Sequence, residues 1–207
     1  VELSAFFFDI RKDALYCDGD DSLRRRAART VLDILFSHLT AWLAPMLCFT
    51  AEEAWAARAG EGDAESVHLR TYPDVPENWR DDALAAKWEK IRRLRRVVTG
   101  ALEIERAEKR IGSSLQAAPT VYADGETVAA MAGVDLAEIA ITSAAELVEG
   151  AAPEGAFTLD DIDGIGVVPG LAEGEKCARC WQVLPDVGSH AHEDVCARCA
   201  DAVDGRK

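Results

Sequence analysis

The sequence has no long apolar run and no excess of positive charge. No stretch reaches the roughly 18 uninterrupted apolar residues of a membrane span. The start, Val1-Glu2-Leu3, has neither the basic residues nor the apolar run of a signal peptide. The formal net charge is −14, which taken alone argues against nucleic acid, because phosphate binding rests on Lys and Arg. We also see no internal repeat and no low-complexity segment, so a soluble globular chain of 207 residues is expected.

Charge is unevenly distributed along the chain. Residues 1–111 carry 18 Lys and Arg against 20 Asp and Glu, whereas residues 112–207 carry 5 against 17. The acid excess therefore lies in the second part, and the first part is nearly neutral with its basic residues bunched. This distribution matters more for an anionic partner than the sum does.

Hydrophobic periodicity predicts a helical first part. Residues 3–16 are expected to form a helix whose aromatic side chains pack in the core by default. A second helix follows from Ser22, with apolar residues at three- and four-residue spacing, and Pro45 is expected to end or kink it. Thr50 with Glu53 forms a capping-box pattern that predicts a third helix, closed near Gly60. Residues 61–82 lack periodicity and are predicted to be a loop.

Arginines crowd the first turns of the second helix, which is the wrong sign for the helix dipole. An anionic partner or a solvated face would each explain them. These residues are Arg24, Arg25, Arg26 and Arg29.

A further long helix is predicted from Ala83 to Ile111. One face is apolar and should pack, with Ile91, Leu94, Val97, Val98 and Ala101. The opposite face is cationic, with Arg92, Arg95, Arg96, Arg106 and Arg110. Glu103 can pair with Arg106, so this face is either an ordinary salt-bridged surface or a binding surface.

Gly112 is predicted to end that helix. The Gly-Ser-Ser turn at 112–114 could offer backbone N–H groups to phosphate, or it could be a simple helix stop. Beyond it we predict a small α+β unit with a short helix at 126–131. Its strand candidates are 119–122, 138–142, 145–148 and 165–168.

The strongest motif is two pairs of cysteines near the end of the chain. Each pair encloses two residues, and fifteen residues, 181–195, separate the pairs. This spacing is typical of a four-thiolate zinc site, because two tight turns aim their sulfurs at one point and complete a closed tetrahedron. A closed site leaves no position for water, so we predict one structural Zn²⁺ and no metal catalysis. The predicted ligands are Cys177, Cys180, Cys196 and Cys199.

The flanking residues fit zinc better than redox chemistry. A redox dithiol belongs near a βαβ pattern, whereas these flanks are rich in Gly, Asp and Glu. Lys176, Arg179 and Arg198 can offset the double negative charge of a zinc tetrathiolate. Reduced thiols then point to the cytoplasm.

Two histidines lie in the spacer between the cysteine pairs, and two further cysteines lie outside the motif. His190 and His192 could replace a sulfur, but four thiols already fill the shell, so we interpret them as loop histidines. Cys17 and Cys48 are predicted to be buried, small apolar residues.

The order of these segments resembles the C-terminal part of bacterial isoleucyl-tRNA synthetases. The segments are a helical bundle, Lys-Arg-Ile-Gly-Ser-Ser-Leu-Gln-Ala at 109–117, an α+β segment, Glu-Lys-Cys-Ala-Arg-Cys-Trp at 175–181 and Cys-Ala-Arg-Cys at 196–199. The opening sixteen residues are similar to the first helix of that family's anticodon-binding domain. The resemblance covers essentially the whole chain. Residues 175–181 are its most specific piece, since the valyl and leucyl enzymes share the bundle.

The resemblance implies a mainly α fold in three parts. These are a helical bundle of the class I synthetase anticodon-binding type over 1–111, a small α+β unit over 112–172, and a four-cysteine zinc module over 173–207. The chain starts without Met in a predicted helix, which suggests a fragment of something longer. We expect a monomer whose partners are tRNA and the remainder of the synthetase.

The resemblance also implies what the chain does not do by itself. The parent enzyme would join L-isoleucine to its tRNA with ATP, as a step of translation. The family's ATP-site signatures, His-Ile-Gly-His and Lys-Met-Ser-Lys-Ser, are missing here, as is any trace of the editing domain. We therefore expect no catalytic residue in this chain, and ATP would bind only in the absent domain.

The expected role is recognition of the anticodon stem and loop. Splayed-out loop bases stack on aromatics or guanidinium planes, and the phosphates between them need cations. Arg179 and Trp181 flank Cys180 and are the first candidates, although a tryptophan beside a zinc turn can also be packing. The second candidates are Lys109 and Arg110, followed by Arg92, Arg96 and Arg106. Phe6, Phe7 and Tyr16 come last, because core packing explains them adequately.

Two alternatives stay open. Formamidopyrimidine-type DNA glycosylases end in a similar four-cysteine module and act on flipped-out bases. They begin with Pro-Glu, whereas this chain begins Val-Glu-Leu-Ser. The other alternative is a purely structural zinc tail, for which Trp181→Ala would leave tRNA affinity unchanged while Cys180→Ala would unfold the module.

Overall fold

The computed structural model describes residues 2–59 and 65–205, which form two compact units. One unit runs from Asp21 to Arg80, and the other combines the described residues up to Asp20 with those from Asp81 onward. The boundaries predicted at residues 111 and 172 stay a prediction about sequence modules. Across residue 111, the long helix and the sheet share one core. The mainly α fold with a small sheet is confirmed.

In the unit from Asp21 to Arg80, two helices carry most of the structure. Helix α2, Leu23–Leu43, begins where the Ser22 hydroxyl accepts a hydrogen bond from the Arg25 N–H, and it ends before Pro45 as predicted. Helix α3 is Cys48–Ala59, and two 3₁₀ turns, Val67–Leu69 and Glu77–Trp79, interrupt the predicted loop.

The start of α3 differs from the prediction. Thr50 lies inside the first turn, because the Ala51 N–H already bonds to the Leu47 carbonyl. The acidic contact comes from Glu52, whose carboxylate accepts bonds from the Ser66 hydroxyl and the Val67 N–H. The predicted stop at Gly60 lies outside the described residues.

The second unit opens with a π-helical turn, Glu2–Phe7, that runs into α1, Phe8–Cys17. Ile10 and Ala14 are buried, and the Phe6 ring meets Trp88 edge-on with centroids 5.9 Å apart. Core packing is thus confirmed for Phe6. It is wrong for Tyr16, whose side chain is 73% exposed.

Helix α4, Asp82–Ala107, is the longest element, and one of its faces is apolar and packs in the core of this unit. Asp81 caps it by accepting a hydrogen bond from the Leu84 N–H. The predicted apolar face is confirmed, since Ile91, Leu94, Val97, Val98, Ala101 and Leu102 are all buried. Gly100 allows close packing, because an added Cβ would lie 3.0 Å from the Phe157 ring.

The helix ends earlier than Gly112. Lys109 has φ of +60°, and the Arg110 N–H reaches back to the Glu105 carbonyl at 2.9 Å, which closes the helix as a Schellman turn. Glycine usually occupies such a left-handed position, because a Cβ there costs roughly 1–2 kcal/mol. The chain therefore stops its helix on a strained lysine.

A four-stranded sheet packs against α4 in the order β2-β1-β4-β3. Its strands are β1, Thr120–Ala123; β2, Glu146–Glu149; β3, Phe157–Leu159; and β4, Ile162–Val168. β1 pairs with β2 in parallel and with β4 antiparallel, and β3 pairs antiparallel with β4. The parallel pair is joined by two short helices, α5, Gly125–Ala130, and α6, Leu136–Ala140.

Helix α6 corrects the strand predicted at 138–142. Asp135 caps the helix through the N–H groups of Ala137 and Glu138, and Ile141 ends it at a φ of +58°. Leu136, Ile139 and Ala140 are buried together, as one face of a helix requires. The prediction failed because five residues with one apolar cluster fit either period.

The last part contains a small ribbon and a helix that the sequence did not reveal. Strands β5, Glu175–Lys176, and β6, Val183–Leu184, pair antiparallel, and α7 is Ala197–Asp204. None of the helices in the described ranges combines the length and apolar character needed to cross a membrane.

Candidate metal centre and nucleic-acid surface

The four predicted cysteines converge. Their sulfur atoms all lie within 4.8 Å of one another, and the four residues are buried. The Cys180 and Cys196 sulfurs are 3.8 Å apart. Zn–S bonds of about 2.3 Å in a tetrahedron require sulfurs about 3.8 Å apart, so the donor set fits one zinc ion. The predicted zinc ligands are therefore brought together as one closed set of sulfurs.

Backbone hydrogen bonds shape the two turns that deliver these sulfurs. In the first turn the Trp181 N–H bonds to the Cys177 carbonyl at 2.9 Å, and the Cys177 N–H bonds to the Gln182 carbonyl at 2.8 Å. In the second, Cys196 is the N-cap residue of α7. The carboxylate of Asp186 accepts the Ala197 N–H at 2.8 Å and so supplies the cap that Cys196 lacks.

The thiols differ in acidity because their surroundings differ. Burial works to raise the pKa of Cys177, but backbone N–H groups of Cys180, Cys196 and Arg179 outweigh it and lower that pKa to about 6. Burial raises the pKa of Cys180 above its usual range and that of Cys199 to about 12. Because burial favours the protonated forms of Cys180 and Cys199, binding of a zinc ion by these thiols would release protons.

Arg179 lies beside the cysteines with its guanidinium turned toward the first helix. It donates to the carbonyls of Cys17 and Tyr16, the latter at 2.9 Å, and one of its nitrogens lies 3.5 Å from the Cys199 sulfur. The expectation that this arginine offsets thiolate charge fits that last contact. Most of its hydrogen bonding, however, fastens the cysteine turn to the carboxyl end of α1.

Arg198 strengthens the same attachment. Its guanidinium makes a two-point bond with the Asp13 carboxylate, at 2.5 and 2.7 Å, and reaches Asp18 at 3.0 Å. Such forked pairs are among the stronger hydrogen bonds in proteins, and here the Asp13 contact raises the pKa of Arg198. Together with Arg179, it fixes the zinc turns against α1.

Trp181 faces outward. Its side chain is 62% exposed and its φ is +67°, a left-handed value that is rare for a bulky residue. The Lys176 ammonium lies 5.3 Å from the centre of an indole ring face. An exposed indole and a cation thus occupy adjacent positions on the metal-pinned turn.

The remaining cysteines and histidines have separate environments. Cys17 is buried beside the zinc cysteines as predicted, and its burial raises its pKa. Cys48 is exposed, so the prediction that it is buried is wrong. His190 and His192 lie near Asp186 and Asp204, at 3.6 and 3.2 Å, and are not part of the sulfur cluster.

The cationic candidates on α4 lie among carboxylates. Arg96 bonds to Asp161 at 2.7 Å, and Arg106 bonds to Glu103. Arg110 grips Glu105 with two bonds of 2.6 Å, which lower the pKa of that carboxyl group.

Arg92, Arg95 and Lys109 are the other basic candidates on α4 and the turn that follows it. Arg92 is half-buried and also engaged with a neighbour. Arg95, which we assigned to the cationic face, instead donates to the Ile139 carbonyl at 2.8 Å and lies over the Phe6 ring. Lys109 is exposed on its strained turn.

The Gly-Ser-Ser turn uses its N–H groups internally. Gln116 accepts bonds from Gly112 and Ser113 through its side-chain oxygen, at 2.6 and 3.3 Å. The Ser113 hydroxyl in turn accepts the Leu115 N–H at the start of the 3₁₀ turn Ser114–Gln116. The turn is therefore a capping box, and the N–H groups of Gly112, Ser113 and Leu115 are already engaged.

Two known protein families match this chain. Residues 1–122 match the family described as "Anticodon-binding domain of tRNA ligase", and residues 174–202 match "Zinc finger found in FPG and IleRS". The first match covers more than half of the chain. The chain belongs to the anticodon-binding domain family of tRNA ligases.

The similar proteins are isoleucine–tRNA ligases. The chain is 57% identical over 205 residues to that of Agrobacterium fabrum, 56% over 205 residues to that of Brucella abortus, and 56% over 204 residues to that of Ruegeria pomeroyi. Each alignment covers 98% of this chain and 21% of the relative. The chain thus spans about a fifth of the length of the curated relatives it matches.

These matches decide between two of the earlier interpretations. The zinc-finger family is shared with FPG, but the anticodon-binding match and the named relatives favour the tRNA ligase interpretation over a DNA glycosylase. The residues of this chain that the sequence did not reveal are those that join segments far apart in the sequence. Asp13, which binds Arg198, and Ser143, which bonds to Leu115 and Val183, carry no local motif that could have marked them.

Proposed function

We propose that this chain is the part of an isoleucine–tRNA ligase that recognises the anticodon stem and loop of isoleucine tRNA. The observation that carries the proposal is Trp181, an exposed indole on a turn held by a metal-binding set of cysteines. Unpaired bases stack on such rings, and each stacked base contributes roughly 1–3 kcal/mol. A left-handed backbone at an exposed aromatic residue is the kind of strain that accumulates at functional sites.

The residues would divide the work. Trp181 would stack on a loop base, with Lys176 meeting the adjacent phosphate. Arg179 would hold the turn, because its guanidinium is bonded to the carbonyls of Tyr16 and Cys17. Lys109 is proposed as a phosphate contact, because it is exposed on the strained turn. The remaining proposed tRNA contacts, Arg110, Arg92, Arg96 and Arg106, would exchange carboxylate or other protein partners for phosphate.

The relatives' name supports a wider role, to which we add the proposals of a cytoplasmic location and a monomeric state. The complete enzyme would join L-isoleucine to its tRNA with ATP in the cytoplasm, as a monomer. Catalytic and editing work would belong to the rest of that enzyme, and the zinc ion would be structural, because four thiolates leave no open position.

The test is a gel-shift titration of the zinc-loaded 207-residue protein against isoleucine tRNA and the same tRNA with an altered anticodon. We expect tighter binding of the unaltered tRNA, and a loss of about 5- to 150-fold for Trp181→Ala, which corresponds to about 1–3 kcal/mol. Trp79→Ala is a matched control, since that indole is also exposed but belongs to the unit from Asp21 to Arg80.

Equal affinity for the two tRNAs would contradict the recognition role. If Trp181→Ala binds like the unchanged protein while Cys180→Ala unfolds the last part, the purely structural zinc tail is the better description. Salt must be held fixed throughout, because phosphate contacts weaken steeply with ionic strength.

A further inference from the structure

Ser143 is a buried hydroxyl that joins three segments far apart in the sequence. It is 9% exposed, and it follows Thr142 and the left-handed Ile141 at the end of α6. Its Oγ accepts the Val183 N–H at 2.7 Å and donates to the Leu115 carbonyl at 2.5 Å. Its own backbone N–H bonds to the Ala117 carbonyl at 3.2 Å. One small, largely buried side chain therefore acts as both a hydrogen-bond donor and an acceptor.

The two partners of this hydroxyl lie next to the two groups of proposed tRNA contacts. Val183 opens β6 two residues after Trp181. Leu115 lies in the capping-box turn that follows the Lys109 helix stop. The two hydrogen bonds of the Ser143 hydroxyl thus connect the turn that carries Trp181 with the turn that follows α4.

The connection is independent of the attachment made by the arginines. Arg179 and Arg198 tie the cysteine turns to α1. Ser143 ties the ribbon strand on the Trp181 side to the turn after α4. The Ser143 hydroxyl is thus a side-chain contact between the ribbon strand and the turn after α4, and the Ala172 N–H, which bonds to the Gln116 carbonyl at 2.8 Å, adds a backbone contact to the same turn.

We infer that Ser143 is a positioning residue for anticodon discrimination, which sets the spacing between Trp181 and the Lys109 turn. This inference rests on the proposed function. A stacked base and a phosphate contact on the same RNA can form together only when the two protein groups keep a defined separation. A flexible spacing would preserve charge attraction and lose selectivity.

The experiment compares Ser143→Ala with Thr142→Val. Thr142 is the neighbouring buried residue, and its hydroxyl has no hydrogen-bond partner among the described residues, so its removal is a control for burial and volume. Each zinc-loaded protein is titrated with isoleucine tRNA and its anticodon-altered form. Zinc content, thermal melting and amide hydrogen exchange at Val183 are measured in parallel.

For Ser143→Ala we expect unchanged zinc content, faster exchange at Val183, and a melting transition that stays cooperative but is lowered by a few degrees, because the Val183 N–H and the Leu115 carbonyl lose their partner. Discrimination should fall roughly tenfold or more, with little change in the salt dependence of the affinity. Thr142→Val should keep full discrimination, and Ser143→Thr should restore it because the hydroxyl returns.

The outcomes separate the two proposals. Full discrimination by Ser143→Ala overturns the inference and leaves the proposed function intact. Loss of zinc or of cooperative melting in Ser143→Ala also overturns it, since the residue would then serve folding. If the unchanged protein does not distinguish the two tRNAs, the proposed function fails, and the positioning role fails with it.

Discussion

Two regions of the same compact unit are held together by different chemistry. Around α4 and the sheet, eighteen buried apolar residues form one core. Around the zinc turns, the buried cluster is Cys17, Cys177, Cys180, Val195, Cys196, Cys199 and Ala200, so five of seven members are cysteines. The first region buries hydrocarbon, and the second depends on a metal to hold sulfurs that would otherwise repel as thiolates. The stability of the α4 and sheet region should therefore depend on the volume of its buried side chains. The stability of the cysteine region should depend on its metal ligands.

Metal removal should give the largest change in stability and the clearest difference between the two regions. Structural zinc sites contribute about 10–16 kcal/mol of binding free energy at pH 7, so chelation or Cys180→Ala should unfold residues from about 173 onward. Amide exchange in α4 and β4 should stay slow, because that core contains none of the zinc ligands. Hydrogen exchange by mass spectrometry measures both regions at once. Equal loss of protection in α4 would show that the two regions fold as one.

A volume change in the apolar core should be next in size. Leu94 is fully buried on α4, and Leu94→Ala is expected to destabilise by about 2–5 kcal/mol through lost burial and a cavity. Zinc content in native buffer should stay at one per chain. Chemical denaturation measures the first quantity and metal analysis the second.

The control for that substitution is Leu84→Ala, because Leu84 lies on the same helix but is 48% exposed. It should change stability by less than about 0.5 kcal/mol. Similar losses for the two leucines would mean that the buried face of α4 does not determine stability.

The contact between the regions should give the smallest effect. Arg198→Lys removes the forked bond to Asp13 and is expected to weaken the attachment by about 1.5–3 kcal/mol. We expect faster zinc release and faster exchange at the end of α1, measured with a chromophoric chelator and by hydrogen exchange.

Arg58→Lys provides the comparison, since its bond to Asp33 is a solvent-exposed pair in the other unit and should contribute less than about 1 kcal/mol. An unchanged zinc release rate in Arg198→Lys would show that Arg198 does not stabilise the attachment of the cysteine turns to α1.

Sequence reasoning succeeded where the determining pattern is local. The apolar spacing of α4 predicted its buried face, and the two C-x₂-C pairs predicted the sulfur cluster, because a helix turn and a cysteine turn are each set by a few neighbouring residues. The zinc module and the family were identified from segments at 109–117 and 175–181.

It failed where distant residues decide. Nothing near Arg198 indicates that its partner is Asp13, 185 positions away, and nothing near Ser143 indicates Val183. Exposure also escaped prediction at Cys48, because an isolated cysteine carries no signal of which way its helix faces. Helix α6 was mistaken for a strand because it is too short to display a period.

The lysine that closes α4 carries a consequence for engineering. Lys109 has the backbone conformation at which glycine is ordinarily selected, so Lys109→Gly should make the protein more heat-resistant. The same exchange would delete a cation at the position proposed to meet RNA. Substitution of this one residue would then raise thermal stability and lower RNA affinity. Variants selected only for thermal stability would be expected to carry glycine at position 109.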